Sequence, residues 1–158
     1  MLATIREQLP VDILLPSLRV ISRRQLYREL AHRVAHFAHI APERLEARLI
    51  HEETRECYGV GNGVAIPHLT VTELTRPVLL CARLLHPMTM DAPDLRPVDL
   101  VFLVLSPAAD GRPRHLQRLV HVSRLLRHPH FREQLRMADT TDAMQALFFD
   151  PERCVLAA

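Results

Sequence analysis

A glycine-rich segment that leads into a histidine carries the residue types in this sequence that could do chemistry. The chain contains 4 glycines in 158 residues, and three of them, Gly59, Gly61 and Gly63, fall within one short stretch. Glycine accepts positive φ and lets a ligand approach the backbone closely. Successive amide N–H groups in such a stretch can bind an anion. Residues 64–67 (VAIP) follow and predict a short strand stopped by proline, whereas a dinucleotide-binding loop would open into a helix.

The residue directly after this proline is His68. Histidine titrates near neutral pH, so its ring offers an unprotonated nitrogen as a nucleophile under physiological conditions. Nearby amide donors could stabilise charge on a group that is transferred to this ring. The combination favours phosphoryl transfer to His68, with Gly59, Gly61, Asn62 and Gly63 as candidate phosphate-binding residues. A purely structural turn is the alternative explanation of the glycines.

Two apolar runs predict the strands that would position this segment. Residues 78–85 and 98–105 are almost continuously hydrophobic, and prolines flank both runs. Such runs are typical of strands buried on both faces, and a sheet of this kind needs helices above and below it. The sequence therefore predicts a single three-layer α/β domain, with a mixed β-sheet and helices on both faces. We expect it to span residues 1–158, with its core at about 12–150.

Local signals predict where the helices begin. Ser22 is a good N-cap, and proline is favoured in the first turn of a helix. Apolar residues at helical spacing support each element. Helices are predicted after Ser22, from Pro42, over about 113–127, from Pro129 and after Thr140.

Three further features of the pattern carry predictions. The apolar side of the helix over about 113–127 is predicted to contain Leu116, Leu119, Val120, Ser123 and Leu126. The histidines of the helix after Ser22 fall opposite its apolar side and predict a solvated face, not a metal site; they are His32, His36 and His39. Pro10 and Pro16 predict an irregular opening of the chain, apart from a short N-terminal helix.

The composition excludes several classes of function. All 20 basic residues are arginine, so the chain lacks both the lysine of a Walker-type nucleotide site and a Schiff-base lysine. A net charge of +2 is too balanced to indicate a nucleic-acid or membrane surface. No apolar run approaches the ~20 residues of a membrane span. The sequence therefore predicts neither nucleic-acid binding nor membrane insertion.

The cysteines indicate the compartment. Cys57, Cys81 and Cys154 have an odd count and spacings that fit neither a disulfide framework nor a zinc site. Reduced thiols and a start without a signal-peptide core predict a cytoplasmic protein. We expect no metal and no cofactor, and the sequence leaves open whether the chain forms a homodimer.

Residues 59–68 (GVGNGVAIPH) resemble the active-site signature of the fructose/mannitol/nitrogen-type enzyme IIA domains of the phosphoenolpyruvate-dependent phosphotransferase system. Residues 97–105 are similar to that family's buried strand, and residues 115–126 to the helix that follows it. Together the resemblance covers about residues 12–150.

The resemblance implies an activity and roles for two histidines. His68 would accept a phosphoryl group on Nε2 from an HPr-like carrier, through a loose and roughly in-line transition state. His115 matches a second histidine of the family's active site and would hydrogen-bond the phosphoryl oxygens. The length favours the free-standing, nitrogen-regulatory type, which regulates partner proteins according to its phosphorylation state.

Four positions depart from the family pattern. Glu52 stands where many relatives carry an arginine, Cys57 and Tyr58 replace a pair of small hydroxyl residues, and Leu69 replaces a small residue after the active histidine. A glutamate near the phosphorylated ring would repel a phosphoryl group. Two alternatives therefore stay open: a binding module of the same fold that is not phosphorylated, and a sugar-transport IIA component that acts with a IIB partner.

Overall fold

The computed structural model describes residues 10–149 of the chain. This range contains five α-helices and six β-strands, and a single turn of 3₁₀ helix lies at Ala108–Asp110. The elements in chain order are β1 (Ile13–Leu18), α1 (Arg23–Ala38), α2 (Pro42–Glu53), β2 (Gly59–Gly61), β3 (Val64–Ala65), β4 (His68–Val71), β5 (Val78–Met88), β6 (Val98–Pro107), α3 (Gly111–Leu126), α4 (Pro129–Met137) and α5 (Thr141–Phe149).

The strands form one mixed sheet in the order β1-β5-β6-β3-β2, and β4 also pairs with β6. Strand β5 is parallel to β1 and antiparallel to β6. Strands β3 and β4 both run parallel to β6, while β2 and β3 form an antiparallel hairpin. The prediction of a mixed sheet is confirmed, and β6 is the strand on which the short strands around His68 are assembled.

Apolar side chains fill the space on both faces of the sheet. Buried residues of α1 and α2 pack on one face, and buried residues of α3, α4 and α5 pack on the other. Along β6, Val101 and Leu103 belong to the first cluster, whereas Phe102 and Val104 belong to the second. This alternation follows the two-residue period of a strand and confirms the three-layer architecture.

The local signals for helix starts are confirmed. The Ser22 side chain accepts a hydrogen bond from the backbone N–H of Gln25 at 3.1 Å and caps α1. Pro42 and Pro129 are the first residues of α2 and α4. These residues satisfy or remove the orphan N–H groups of a first turn, which is why short-range sequence fixes these starts. Among the described residues, no helix is long and apolar enough to cross a membrane.

The prediction of an irregular opening is wrong. Ile13–Leu18 forms β1, the edge strand that pairs with β5. Pro16 lies between Leu15 and Leu18, where the register of this pairing shifts. Proline cannot donate to a strand ladder and is accommodated at edges and irregularities, so it interrupts β1 without removing it. The predicted short N-terminal helix lies outside the described residues.

The predicted apolar side of α3 is correct in part, since Leu126 is buried and Leu119 packs against the core. Leu116 and Val120 are 46% and 48% exposed, while His115, Val122 and Leu126 are buried. The buried side also contains the polar residue His115, which a search for apolar residues alone does not find. Helix α3 therefore directs His115 towards the sheet.

Candidate functional site

The chain path around β6 determines where His68 lies. After β3 the backbone carbonyl of Pro67 accepts a hydrogen bond from Val104 N–H at 3.0 Å, and β4 then begins at His68, which pairs with Val104. Two short strands thus follow one another along the same strand, with the proline between them. The side chain of His68 is 20% exposed, so it is reachable from solvent at this junction.

The contacts of the His68 ring distinguish its two nitrogens. Nδ1 lies 2.8 Å from the backbone oxygen of Ile66. A carbonyl oxygen only accepts hydrogen bonds, so Nδ1 carries a proton and donates it. Nε2 lies 3.1 Å from Oε2 of Glu56. The backbone therefore fixes the orientation of the ring and directs Nε2 towards Glu56.

His115 is brought next to His68 by the first turns of α3. The two ring centroids are 5.4 Å apart. His115 is buried, and its Nδ1 lies 2.7 Å from the hydroxyl oxygen of Ser106 on β6. Burial, followed by the positive charge of His68 and of Arg118, lowers the pKa of His115 below its usual value. The neutral form of this ring is therefore favoured near neutral pH.

Tyr58 also packs against the His68 ring. The two rings meet edge to face, with centroids 5.7 Å apart. The Tyr58 hydroxyl donates to the backbone oxygen of Leu49 at 2.9 Å, and burial raises the pKa of this hydroxyl. Tyr58 is therefore uncharged, and its ring limits the tilt of the imidazole. The side chain of a small hydroxyl residue at this position would be too short to make this contact.

A cleft of about 610 Å³ opens beside the two histidines. It contains charged groups of both signs. The charged residues that line it, apart from the histidines, are Arg48, Glu52, Arg55, Glu56 and Arg112. Arg48 donates to the backbone oxygen of Thr70 at 2.7 Å, and Arg55 lies 3.8 Å from Glu52. Arginine guanidinium groups in such a cleft provide the donors that phosphoryl oxygens prefer.

The glycine-rich segment lies outside this cleft. None of Gly59, Gly61, Asn62 and Gly63 is among the lining residues. Asn62 N–H donates to Asp94 at 2.8 Å. The carbonyl of Asn62 accepts a hydrogen bond from Arg136 of α4. The same guanidinium forms a bidentate ion pair with Asp99.

These four residues shape the hairpin that delivers His68, and their role as phosphate-binding groups stays a prediction. Gly61, Asn62 and Gly63 all have positive φ, which the tight β2–β3 turn requires. The hydrogen bonds of Asn62 to Asp94 and to the α4 guanidinium hold the turn in place.

A family model decides the identity of the fold around this site. The model described as "Phosphoenolpyruvate-dependent sugar phosphotransferase system, EIIA 2" matches residues 10–150. The chain belongs to this family.

Relatives of this EIIA 2 chain include proteins named "Nitrogen regulatory protein". The one from Bradyrhizobium diazoefficiens is 34% identical over 140 residues, which are 89% of this chain and 91% of that protein. The one from Pseudomonas aeruginosa is 30% identical over 130 residues, which are 82% of this chain and 84% of that protein.

Solved structures share the EIIA 2 fold. The nitrogen regulatory protein IIA-Ntr of Neisseria meningitidis matches with a TM-score of 0.79 at 26% identity, over 86% of this chain and 92% of that one. The mannitol IIA of Escherichia coli matches with a TM-score of 0.71 at 14% identity, over 85% of this chain and 94% of that one. The second likeness shows the fold alone.

Sequence reasoning missed three groups of this EIIA 2 site. Glu56 lies in the loop after α2, Ser106 near the end of β6, and Arg112 in the first turn of α3. Only Arg112 had a signal in the sequence, because it precedes His115 at a predicted helix start. Of the positions that depart from the family pattern, Cys57 is exposed, and its thiol donates to the backbone oxygen of Asp91.

The hairpin of the EIIA 2 chain predicts a clear stability effect at Gly59. A Cβ at this position would lie 2.9 Å from Ala92 Cβ and 3.0 Å from Ala92 Cα. Because the second contact is with backbone, a side chain cannot simply rotate away. We expect Gly59→Ala to lower the free energy of unfolding by about 1–3 kcal/mol, measured by urea denaturation.

The matched control is the double variant Gly59→Ala with Ala92→Gly. It removes the Cβ–Cβ contact and should recover part of the loss, compared with Ala92→Gly alone. An unchanged urea midpoint for Gly59→Ala would show that the two segments are not packed this closely.

Proposed function

We propose that this chain is a phosphocarrier of the nitrogen-regulatory type. It accepts a phosphoryl group on Nε2 of His68 from an HPr-like protein and regulates partner proteins according to its phosphorylation state. The observation that carries the proposal is the fixed orientation of the ring. Because Nδ1 is held 2.8 Å from the Ile66 oxygen, Nε2 is the nitrogen left for the phosphoryl group. The relatives named nitrogen regulatory proteins favour regulation over sugar uptake.

The transfer forms one N–P bond and breaks another. The lone pair on Nε2 of neutral His68 attacks the phosphorus, while the N–P bond of a donor phosphohistidine breaks and its electron pair stays on the donor ring. The transition state is loose and in line. The protein therefore has to hold the nucleophile in position and to neutralise charge on the equatorial oxygens.

His115 lies next to His68 and is suited to that second task. With the Ser106 hydroxyl as donor to its Nδ1, neutral His115 carries its proton on Nε2 and can donate it to a phosphoryl oxygen. Arg55 and Arg112 line the same cleft and add positive charge. The free amides at the start of α3 favour an anion at the same place.

The exposed side of α3 fits a protein donor and not a small molecule alone. Leu116 and Val120 are apolar and half-exposed, and Leu116 lines the cleft. Apolar groups around a small polar centre are typical of docking surfaces between proteins. This arrangement supports an HPr-like donor and, after phosphorylation, a regulated target or a IIB component.

A reconstituted phosphotransfer assay tests the proposal. The chain is incubated with phosphoenolpyruvate, enzyme I and an HPr-type carrier, and its intact mass is measured. We expect a gain of ~80 Da that is lost in acid and depends on each component. If the mass stays unchanged with several HPr-type carriers, the chain is not a phosphocarrier.

A binding module of the same fold that takes no phosphate is the second candidate. The contact of Glu56 with His68 Nε2 and the presence of Glu52 in the cleft favour it, because carboxylates repel a phosphoryl group. This candidate predicts equal capture of partners by the wild type and by His68→Ala in a pull-down. A change in partner affinity on phosphorylation would remove it.

A sugar-transport component is the third candidate. The "PTS system fructose-specific EIIA component" of Haloferax volcanii is 37% identical over 97 residues, which are 61% of this chain. Neighbouring genes for IIB and IIC components would favour this role over regulation. The cytoplasmic location predicted from the cysteines stays a prediction.

A further inference from the structure

Glu56 occupies the place in front of the ring nitrogen that must react. Its Oε2 lies 3.1 Å from Nε2 of His68. In the part of the chain that the structure describes, this is the only ion pair of Glu56. Its backbone N–H donates to the carbonyl of Glu52 at 2.9 Å, which fixes the start of the side chain on the turn after α2. The side chain itself is 62% exposed and is free to rotate.

The two contacts of His68 together determine what Glu56 does to the ring. Nδ1 already donates its proton to the Ile66 oxygen. A carboxylate accepts hydrogen bonds and does not donate, so its contact with Nε2 is favourable only when Nε2 also carries a proton. That proton uses the lone pair that would attack phosphorus. The contact with Glu56 thus favours the imidazolium form of His68 over the form that can attack phosphorus.

We infer that Glu56 is a residue that restrains phosphorylation of His68 by competing with the phosphoryl group for Nε2. This inference rests on the proposed function and adds a residue that neither the family match nor the glycine-rich signature assigns. The contact with the reacting atom separates Glu56 from Glu52. Glu52 lines the same cleft, but its ion pair is with Arg55.

Phosphorylation of His68 then takes place in two steps. First, the proton on Nε2 passes to solvent and the carboxylate rotates away, which its exposure permits. Next, Nε2 forms its N–P bond while the donor's N–P bond breaks and the electron pair stays with the donor. In the product a phosphoryl dianion lies where the carboxylate was, so a returning Glu56 repels it. Glu56 therefore lowers both the rate of phosphorylation and the phosphorylated fraction at equilibrium.

Two variants remove the effect in different ways. Glu56→Gln keeps the shape and removes the charge, and Glu56→Ala removes the whole group. Glu52→Gln is the matched control, because it removes a carboxylate from the same cleft without touching His68. All are compared with the wild type in the rate of transfer from a phosphorylated HPr-type carrier and in the phosphorylated fraction at a fixed ratio of phosphorylated to free carrier.

We expect at least one Glu56 variant to exceed the wild type about three- to fivefold in both quantities, the range of an exposed charge pair. Glu52→Gln should increase both quantities clearly less than that Glu56 variant does, because Glu52 does not contact Nε2. If neither Glu56 variant exceeds the wild type, or if Glu52→Gln has the same effect, the inference is overturned.

A chemical measurement separates this inference from the proposed function. Diethyl pyrocarbonate acylates unprotonated imidazole nitrogens, and peptide mapping reports the rate at His68. We expect faster acylation of His68 in Glu56→Ala than in the wild type and in Glu52→Gln. Faster acylation without transfer from any protein donor would uphold the role of Glu56 at Nε2 and count against the phosphocarrier. Normal phosphorylation, with equal rates of His68 acylation in the wild type and all variants, would uphold the phosphocarrier and overturn the role of Glu56.

Discussion

Replacement of His68 by asparagine is expected to abolish phosphorylation of the chain while leaving it folded. The amide nitrogen of asparagine lies close to where Nδ1 of a histidine would be, so it can still donate to the Ile66 oxygen, which His68 contacts at 2.8 Å. Asparagine has no counterpart of Nε2, and its amide is not a nucleophile. The gain of ~80 Da that we expect for the wild type with phosphoenolpyruvate, enzyme I and an HPr-type carrier should be absent in this variant.

The interpretation depends on two controls. His86→Ala removes an exposed histidine of β5 that does not line the cleft, and it should be phosphorylated like the wild type. A urea denaturation curve shows whether His68→Asn is folded. A folded His68→Asn variant that still gains the phosphoryl mass would identify another side chain as the acceptor and would remove His68 from the mechanism.

The fold could be predicted from sequence wherever burial or a local signal is strong. Strand β6 and the first half of β5 are buried on both faces and are visible as apolar runs. The first turn of a helix has backbone N–H groups without partners. Ser22 accepts a hydrogen bond from one of them, and Pro42 and Pro129 have no N–H at this position, so all three residues mark helix starts. In contrast, β2, β3 and β4 are two to four residues long, and they exist because they pair with each other or with β6. Only residues 64–67 gave a sign of a strand there.

The site could be predicted only in part, for a related reason. The resemblance to the family implied that His68 and His115 share an active site, and the structure brings their rings together. The glycines before His68 predict ligand-binding groups because their backbone freedom suits an anion, and a tight hairpin needs the same freedom, so the sequence does not distinguish the two uses. The position of Glu56 depends on a turn after α2 and on a flexible side chain, and no spacing in the sequence encodes either.

Removal of the second histidine carries the other large expected effect. We expect His115→Ala to slow phosphoryl transfer to His68 about hundredfold, the usual loss when one preorganised donor to a developing charge is deleted. The reason is geometric, since the His115 ring is 5.4 Å from that of His68 and is anchored on Ser106. The rate is measured in a single turnover with a phosphorylated HPr-type carrier, by quenching and intact mass.

A role of His115 as hydrogen-bond donor and a merely structural role affect carrier binding and the rate of transfer differently. A donor to the transition state lowers the rate at saturating carrier and leaves the carrier concentration for half-maximal rate nearly unchanged. Ser106→Ala should cause a smaller loss, because it keeps the imidazole and removes only the group that orients it. A His115→Ala variant that transfers at the wild-type rate would show that the cleft arginines suffice.

The lowered pKa of His115 also makes a prediction of sign. The folded chain binds a proton at this ring less readily than the unfolded chain does, so its contribution to stability is present above the unfolded value of ~6.5 and is lost as the pH falls below it. His115→Ala should therefore show a shallower loss of stability between pH 7 and pH 5 than the wild type.

A phosphoryl dianion on His68 favours the protonated form of the His115 ring and therefore opposes the lowering of its pKa. In the phosphorylated protein the difference between wild type and variant should accordingly shrink or reverse, which a purely steric role of His115 would not produce.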